Sequence, residues 1–385
     1  MIFWEFFSSF FVWVFPLILI VLIFIGRCVG YIKSDKEENI YALMVLAYVS
    51  VFAALRYETG DDWEGYRLYF DSITLSNGII DEYLSSPLLL QFEPGYYVLS
   101  YVVKIFGGTY SFVNFISVFA FFCALICSIS RFELRALFVV SIFVGMPLIS
   151  LYYNQVRQCL ALSFFLLALS SKGNIKATLF GLLTLFFQYS TIPFVASLLF
   201  VKLWPTKSYN LFKILVIAAP VFLFLTWANY FGGYDLLRIL TPESLAFKVS
   251  IYQEEETDFG IFRIVAIFVL TMIAIFIFKK FRKIAFGPGY LSLPIELSLI
   301  GCLQVLYASI LFPNSYAFFG RALVFSLIVL AFAFAILINH YGVTTKYGTV
   351  DFWFAGLCLL STMYYFATLI FYTDVYIPYR FVLSD

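Results

Sequence analysis

The chain has 385 residues, of which 63% are hydrophobic and only 12% charged, and its mean hydropathy is +0.96. A water-soluble globule cannot cover so large an apolar content with so little polar surface, whereas a bilayer accepts apolar side chains on the outside of a helical bundle as well as inside it. Lys plus Arg (24) nearly balance Asp plus Glu (23), which excludes the one-signed field of a nucleic-acid binder and leaves any phosphate recognition to local groups. The expected fold class is an all-α polytopic integral membrane protein.

A hydrocarbon core needs roughly 20 apolar residues per span. In chain order, helices are expected near Phe6 to Ile25, Ile40 to Leu55, Phe112 to Ile129, Ala136 to Leu151, Gln158 to Ser170, Ala177 to Phe187 and Thr191 to Trp204. Further ones follow near Phe212 to Tyr230, Ile261 to Phe278, Leu293 to Phe312, Arg321 to Asn339 and Phe352 to Tyr372. The first lacks the basic flank and small-residue cleavage site of a signal peptide, so it reads as a retained span.

Basic loops set orientation, because Lys and Arg near span ends stay on the cytoplasmic side. They contain Arg27, Lys33 and Lys36; Arg131 and Arg135; Lys172 and Lys176; Lys202, Lys207 and Lys213; Lys279, Lys280, Arg282 and Lys283; and Lys346. All six fall on one side only if the short apolar piece from Pro94 to Phe106 does not cross. The sequence therefore predicts about twelve crossings, a re-entrant or interfacial helix at that piece, and both termini on the extracytoplasmic side. With no repeat or soluble module in the pattern, residues 1–385 read as a single membrane domain with extracytoplasmic loops at about 57–92 and 231–260.

The unusual chemistry gathers on the outer side of that topology. In Arg56 to Phe70, charged residues alternate with aromatics, and Trp63, Tyr66, Tyr69, Phe70 and Ile73 share one helical face, as in a helix lying at the membrane interface. Asp61, Asp62 and Glu64 stand beside it. Aromatic faces next to carboxylates suit sugars, whose C–H patches stack and whose hydroxyls donate to carboxylate oxygens; the plainer alternative is an interfacial aromatic belt with solvated acids. Glu93-Pro94-Gly95-Tyr96 reads as a helix start, Pro in the first turn and Glu93 near the positive end of the dipole, where it serves as a cap or orients a hydroxyl.

Arg56, Arg157, Arg321 and Arg380 lie at outer span ends, against the positive-inside trend. Guanidinium forks bind phosphate oxygens in pairs, so a converging set would hold a lipid-linked pyrophosphate; snorkelling or ion pairing is the alternative for any one of them. Tyr153, Asn154 and Gln155 add phenol and amide groups at the same face, able to bond sugar hydroxyls or to cap the next helix, and Gln188 to Pro193 interrupts an apolar stretch in a similar way. The acidic run Glu254, Glu255, Glu256 and Asp258 reads as a solvated loop. The six cysteines lack metal-finger spacing and read as packing residues; no metal site or cofactor is expected. The only histidine, His340, falls on the cytoplasmic side.

The order of short motifs resembles the EpsG-like, Wzy-type polymerases of bacterial O-antigen and exopolysaccharide. The resemblance is carried by Arg56 followed by Gly60-Asp61 and Tyr66; by Glu93 to Tyr96; by Arg157 opening an Ala/Leu-rich helix; by Arg321 at a late helix; and by Pro378-Tyr379-Arg380. One departure is Gln188-Tyr189-Ser190, where many relatives carry a histidine. The resemblance implies a GT-C-like helical fold and transfer of a glycan from an undecaprenyl-pyrophosphate donor to a lipid-linked repeat unit at the periplasmic face of the inner membrane. Its partners would be lipid-linked oligosaccharides, the bilayer and a chain-length regulator.

Within that expectation Asp61, Asp62 or Glu93 is the base, the four arginines bind pyrophosphate, and Trp63, Tyr66, Tyr96, Tyr153, Asn154 and Gln155 contact sugar. A flippase or transporter for lipid-linked oligosaccharides is the first alternative, but it would carry ionisable groups at mid-span and paired halves. An O-antigen ligase is the second, and it looks to a histidine in an outer loop.

Overall fold

The computed structural model describes residues 11–57, 59–60, 62–76, 78–90, 92–145, 156–203, 261–284, 292–311, 316–344 and 380–381. These are almost wholly helical. In chain order they form α1 (Phe15–Cys28), α2 (Asp35–Ala54), β1 (Arg56–Tyr57), α3 (Trp63–Ser72), α4 (Ile79–Ser85), α5 (Pro87–Leu90), α6 (Pro94–Ile105), α7 (Tyr110–Arg131) and α8 (Ala136–Gly145). There follow α9 (Val156–Ser170), α10 (Asn174–Phe187), a 3₁₀ turn (Tyr189–Thr191), α11 (Ile192–Leu203), α12 (Ile261–Ile284), α13 (Ser292–Leu311), α14 (Tyr316–Thr344) and β2 (Arg380–Phe381). Among the described residues, α2 and α7 are long and apolar enough to cross a membrane. The expected helices at Phe212 to Tyr230 and Phe352 to Tyr372 lie outside the described residues, as does the part of the expected Ala136 to Leu151 helix that follows Gly145.

The chain divides into two compact units, the first from Met1–Asn77, Val98–Ser170 and Ala335–Asp385, the second from Gly78–Tyr97 and Ser171–Phe334. In the first, α2 starts with a capping box: Ser34 accepts from the Glu37 amide at 3.2 Å, and the Glu37 carboxylate accepts from the Lys33 amide at 2.8 Å. Small and hydroxylated residues let α7 and α9 approach closely. Ser128 bonds Ser170 across them at 2.7 Å, and the Cys159 thiol meets the Ser117 carbonyl at 3.6 Å.

Two opposite ends of these helices acquire different chemistry. At one end Glu38, fully buried on the first turn of α2, takes a two-pronged bond from Arg135, with Arg135 Nε at 2.8 Å, and Arg27 Nε stands 3.6 Å away. Arg131 donates to the Ser170 carbonyl there at 3.3 Å, and Asn39 caps α8 through the Ala136 amide. The first two basic loops of the sequence thus share a side. At the other end lie the C-terminus of α2 and the N-termini of α7 and α9.

Helix α6 has 12 residues, about 18 Å at 1.5 Å per residue, too short for a span. Its Lys104 donates to the carbonyls of Phe70 and Asp71, both at 3.0 Å, and so closes the C-terminus of α3. α3 differs from the interfacial expectation. Its aromatic face, Trp63, Tyr66, Tyr69 and Phe70, is buried in the protein, because Tyr110 and Arg157 supply partners for it; Glu64, Arg67 and Asp71 face outward.

In the second unit α10 and α11 form a hairpin through the 3₁₀ turn, and α12 and α13 form another. Gln304 on α13 donates to Ser197 on α11 at 2.9 Å. Thr271 on α12 reaches the Cys302 carbonyl at 3.4 Å. Polar groups in apolar helices find one another because nothing else there can satisfy them.

Candidate functional site

Arg56 follows directly on the C-terminus of α2. Asn114 on α7 holds that terminus, its Nδ2 donating to the Ala53 and Ala54 carbonyls at 2.9 and 3.2 Å, carbonyls that a helix end would otherwise leave open. The backbone then enters β1, antiparallel to β2, with Arg56 opposite Phe381 and Tyr57 opposite Arg380. Arg56 is fully buried and donates from NH1 to the Thr59 carbonyl at 3.0 Å. Gly60 turns the chain at φ +102°, a conformation that residues with a Cβ avoid, and its carbonyl accepts from the Trp63 amide to start α3.

The first turn of α3 faces the first turns of α7 and α9. Trp63 meets Tyr57 at 5.0 Å and Tyr110 edge-on at 5.3 Å, and Tyr66 stacks on Tyr110 at 6.3 Å with 11° between the ring planes. Arg157 donates from Nε to the Tyr66 hydroxyl at 3.2 Å, and its guanidinium carbon sits 5.5 Å over the same ring. The Arg56 and Asp62 charges both act on the Tyr110 hydroxyl. Two guanidinium groups, Arg56 and Arg157, and a carboxylate thus act on a pair of stacked phenol rings. A fully buried guanidinium keeps its charge and its planar donor fork, and stacked phenols offer both ring faces and hydroxyls, so the set suits an anionic, hydroxyl-bearing ligand.

The second unit builds a different cluster around Glu93, which is 3% exposed. Tyr83 on α4 donates to the Phe92 carbonyl at 2.7 Å, its ring lies 4.8 Å from Tyr97, and Phe92 stacks on Tyr96 at 5.8 Å. The start of α6 rests on the end of α10: a Cβ at Gly95 would stand 2.7 Å from both the carbonyl oxygen and Cδ1 of Phe186. That contact sets Glu93 beside the turn after α10, and its charge acts on Tyr189 there as well as on Tyr83. Burial first, then the Tyr189 and Glu93 charges, push the Tyr83 hydroxyl above its usual range.

Of the residues expected from the sequence, Arg56, Asp62, Trp63, Tyr66 and Arg157 come together in the first unit, with the Arg380 backbone opposite Tyr57. Glu93 and Tyr96 belong to the second unit. Arg321 lies on α14. Asp61, Tyr153, Asn154 and Gln155 lie outside the described residues. Sequence reasoning missed Tyr110, Asn114 and Tyr83, and took Tyr189 only as part of a polar break. The available signal was a phenol and an amide one turn apart at the start of an otherwise apolar helix, and a polar break between two apolar ones.

No curated protein and no solved structure matches the chain. One family model, that of the EpsG family, matches residues 39–381, from the start of α2 through the β2 strand that pairs with Arg56. On a match that spans both units and most of the sequence, the chain belongs to the EpsG family, a Wzy-like family of polymerases.

Proposed function

We propose that the chain is a membrane glycosyltransferase that polymerises O-antigen or a related polysaccharide. It transfers a glycan from an undecaprenyl-pyrophosphate-linked donor to a lipid-linked repeat-unit acceptor at the periplasmic face of the bacterial inner membrane. The whole chain acts as one multi-pass domain of about twelve spans, with a GT-C-like arrangement. Family membership supports the polymerase class. The observation that carries the chemistry is the run Arg56, Tyr110, Tyr66, Arg157, at the ends of α2, α7 and α9 opposite to the basic cluster of Arg27 and Arg135. Retention of basic loops in the cytoplasm would turn that run outward.

In the reaction the acceptor oxygen forms a bond to the anomeric carbon, and the bond from that carbon to the pyrophosphate oxygen breaks, its electron pair leaving with the phosphate. The acceptor hydroxyl proton passes to a carboxylate, for which Asp61, Asp62 and Glu93 are the candidates. Arg56, Arg157, Arg321 and Arg380 hold the leaving pyrophosphate and neutralise its growing charge, the part a metal ion plays in many soluble glycosyltransferases. Trp63, Tyr66, Tyr96, Tyr153, Asn154 and Gln155 contact sugar rings and hydroxyls. A chain-length regulator is a further partner.

The test is a lipopolysaccharide gel from cells lacking the gene, complemented with the intact chain or with Arg157→Ala at matched membrane levels. A single-repeat band in the deletion, restored to a ladder by the intact chain alone, supports the polymerase. Loss of the single repeat as well would point to a flippase or a ligase and overturn it.

A further inference from the structure

A donor that carries its pyrophosphate on a polyprenyl chain has an apolar tail as well as an anionic head, and the residues around Arg56 and Arg157 provide only for the head. From a head held there, the tail returns to the bilayer past one of the helices whose ends form the site. α9 offers it no surface, since none of its side chains is exposed. α2 faces outward chiefly with Ile40, Met44 and Val51. Its rings Tyr48 and Phe52 are turned 44° from each other and held at α1, where Tyr48 donates to the Phe11 carbonyl at 2.9 Å and meets the Phe15 ring. α7 is different. Phe112, Phe115 and Phe119 are 52%, 43% and 54% exposed, and they stack in sequence. Phe112 and Phe115 are 6.0 Å apart with 8° between their planes, Phe115 and Phe119 are 6.0 Å apart with 4°, and the half-buried Phe122 continues the row at 6.4 Å. Spacings of three and four residues keep the rings on one face. From Phe112 to Phe122 the row runs about 15 Å at 1.5 Å per residue, about half of a hydrocarbon core. Asn114 and Ser117 turn the other face of α7 toward α2 and α9, so the row looks away from the protein, yet it begins in the same first turn as Tyr110.

We propose that the stacked face of Phe112, Phe115, Phe119 and Phe122 is the track on which the polyprenyl tail of the lipid-pyrophosphate substrate lies. The tail leaves the arginine site over the first turn of α7 and descends along the rings through one leaflet. The inference rests on the glycan-transfer reading and deepens it, since it adds a site for the half of the substrate that the arginines do not touch. Inside a bilayer no water is released when a tail meets a helix, so one chain is chosen over the surrounding acyl chains only by closer packing. Stacked rings supply a flat surface whose faces take the C–H groups of isoprene units. The double bonds of a polyprenyl chain also leave it fewer rotamers to lose than a saturated chain has. The arginines recognise a pyrophosphate on any lipid; the ring row is what distinguishes the lipid.

The experiment uses membranes carrying the full chain and measures elongation rate against donor concentration. Two donors bear the same glycan, one on undecaprenyl pyrophosphate and one on geranyl pyrophosphate, whose short tail cannot follow the row. The variant combines Phe112→Leu, Phe115→Leu and Phe119→Leu, which keeps the face apolar and the span able to insert; Met44→Leu and Val51→Leu on α2 are the controls, all at matched membrane level. With the undecaprenyl donor the triple variant is expected to raise KM about tenfold with little change in kcat, and the controls to leave KM as it is. With the geranyl donor the triple variant should add little to the KM of the intact chain. Equal losses with both donors, or no loss with either, overturn the inference while the polymerase reading stands. A second measurement places a benzophenone-bearing side chain at position 115, irradiates the membranes and identifies the adducts by mass. Capture of the polyprenyl substrate supports the track, and capture of phospholipid or of a second copy of the chain alone overturns it. Absence of elongation by the intact chain overturns the polymerase reading, and the inference with it.

Discussion

Arg157 engages Tyr66 twice, donating from Nε to its hydroxyl at 3.2 Å and lying 5.5 Å over its ring. The two residues are 91 positions apart in the chain, so α9 and α3 are joined at the site by one side-chain pair that combines charge, donor and ring. The pair fixes the plane of the guanidinium and thereby the direction in which its remaining donors point.

Arg157→Lys should fail to restore the polymer ladder even though it keeps the charge, because an ammonium neither forks nor lies flat on a ring. Tyr66→Phe keeps the ring and loses only the hydroxyl, and it should lower polymer yield by about tenfold. Gel densitometry at equal membrane level reads both, and a full ladder from the lysine variant would remove Arg157 from the phosphate-binding set.

Asn114 holds the end of α2 from which Arg56 projects. Asn114→Ala opens two helix-end carbonyls in a buried place and should destabilise the protein by about 1–3 kcal/mol. The polymer defect should be no worse when combined with Arg56→Ala than with Arg56→Ala alone, since the asparagine acts through the arginine. Thermal unfolding in detergent gives the first quantity and the complementation gel the second; a further drop in the double variant would separate the two residues.

Gly95→Ala would put a methyl group 2.7 Å from the Phe186 backbone oxygen, a group that cannot swing away. The start of α6 must then lift from α10, at a cost of about 1–3 kcal/mol. A lower melting temperature together with a fall in elongation rate is expected. Unchanged melting would mean that the helices approach less closely than 2.7 Å implies.

Glu38→Ala should be the most damaging change away from the site, because Arg135 loses its buried partner; about 3–5 kcal/mol is expected. Glu38→Gln, which still accepts from Arg135, should fall between alanine and the native residue. The fraction of chain recovered folded from membranes gives the order, and equal recovery of all three would show that the cluster contributes little.

How much of this was legible follows from what each signal depends on. Apolar runs depend on local composition, so α2, α7, α9, α10 and α13 were visible within a few residues, and the short length of the Pro94 piece was visible too. The grouping of Arg27 with Arg135 was legible through charge alone. The inward turn of α3 was not, because a helix with one aromatic face looks the same whether lipid or protein covers it, and the cover comes from Tyr110 and Arg157 on distant segments. Arg56 and Arg157 could be nominated one at a time, but their link through two phenols needed the fold.

The pairing of Arg56 with Phe381 bears on biogenesis. A ribosome delivers helices to the membrane in order, and α2 is among the first to emerge, yet the strand that completes the backbone beside Arg56 comes after every helix described. Until then the nascent protein holds a guanidinium whose surroundings are unfinished. Maturation of the arginine site is therefore a late event in synthesis, and a quality-control protease that cuts the unpaired tail would leave an inserted but idle bundle.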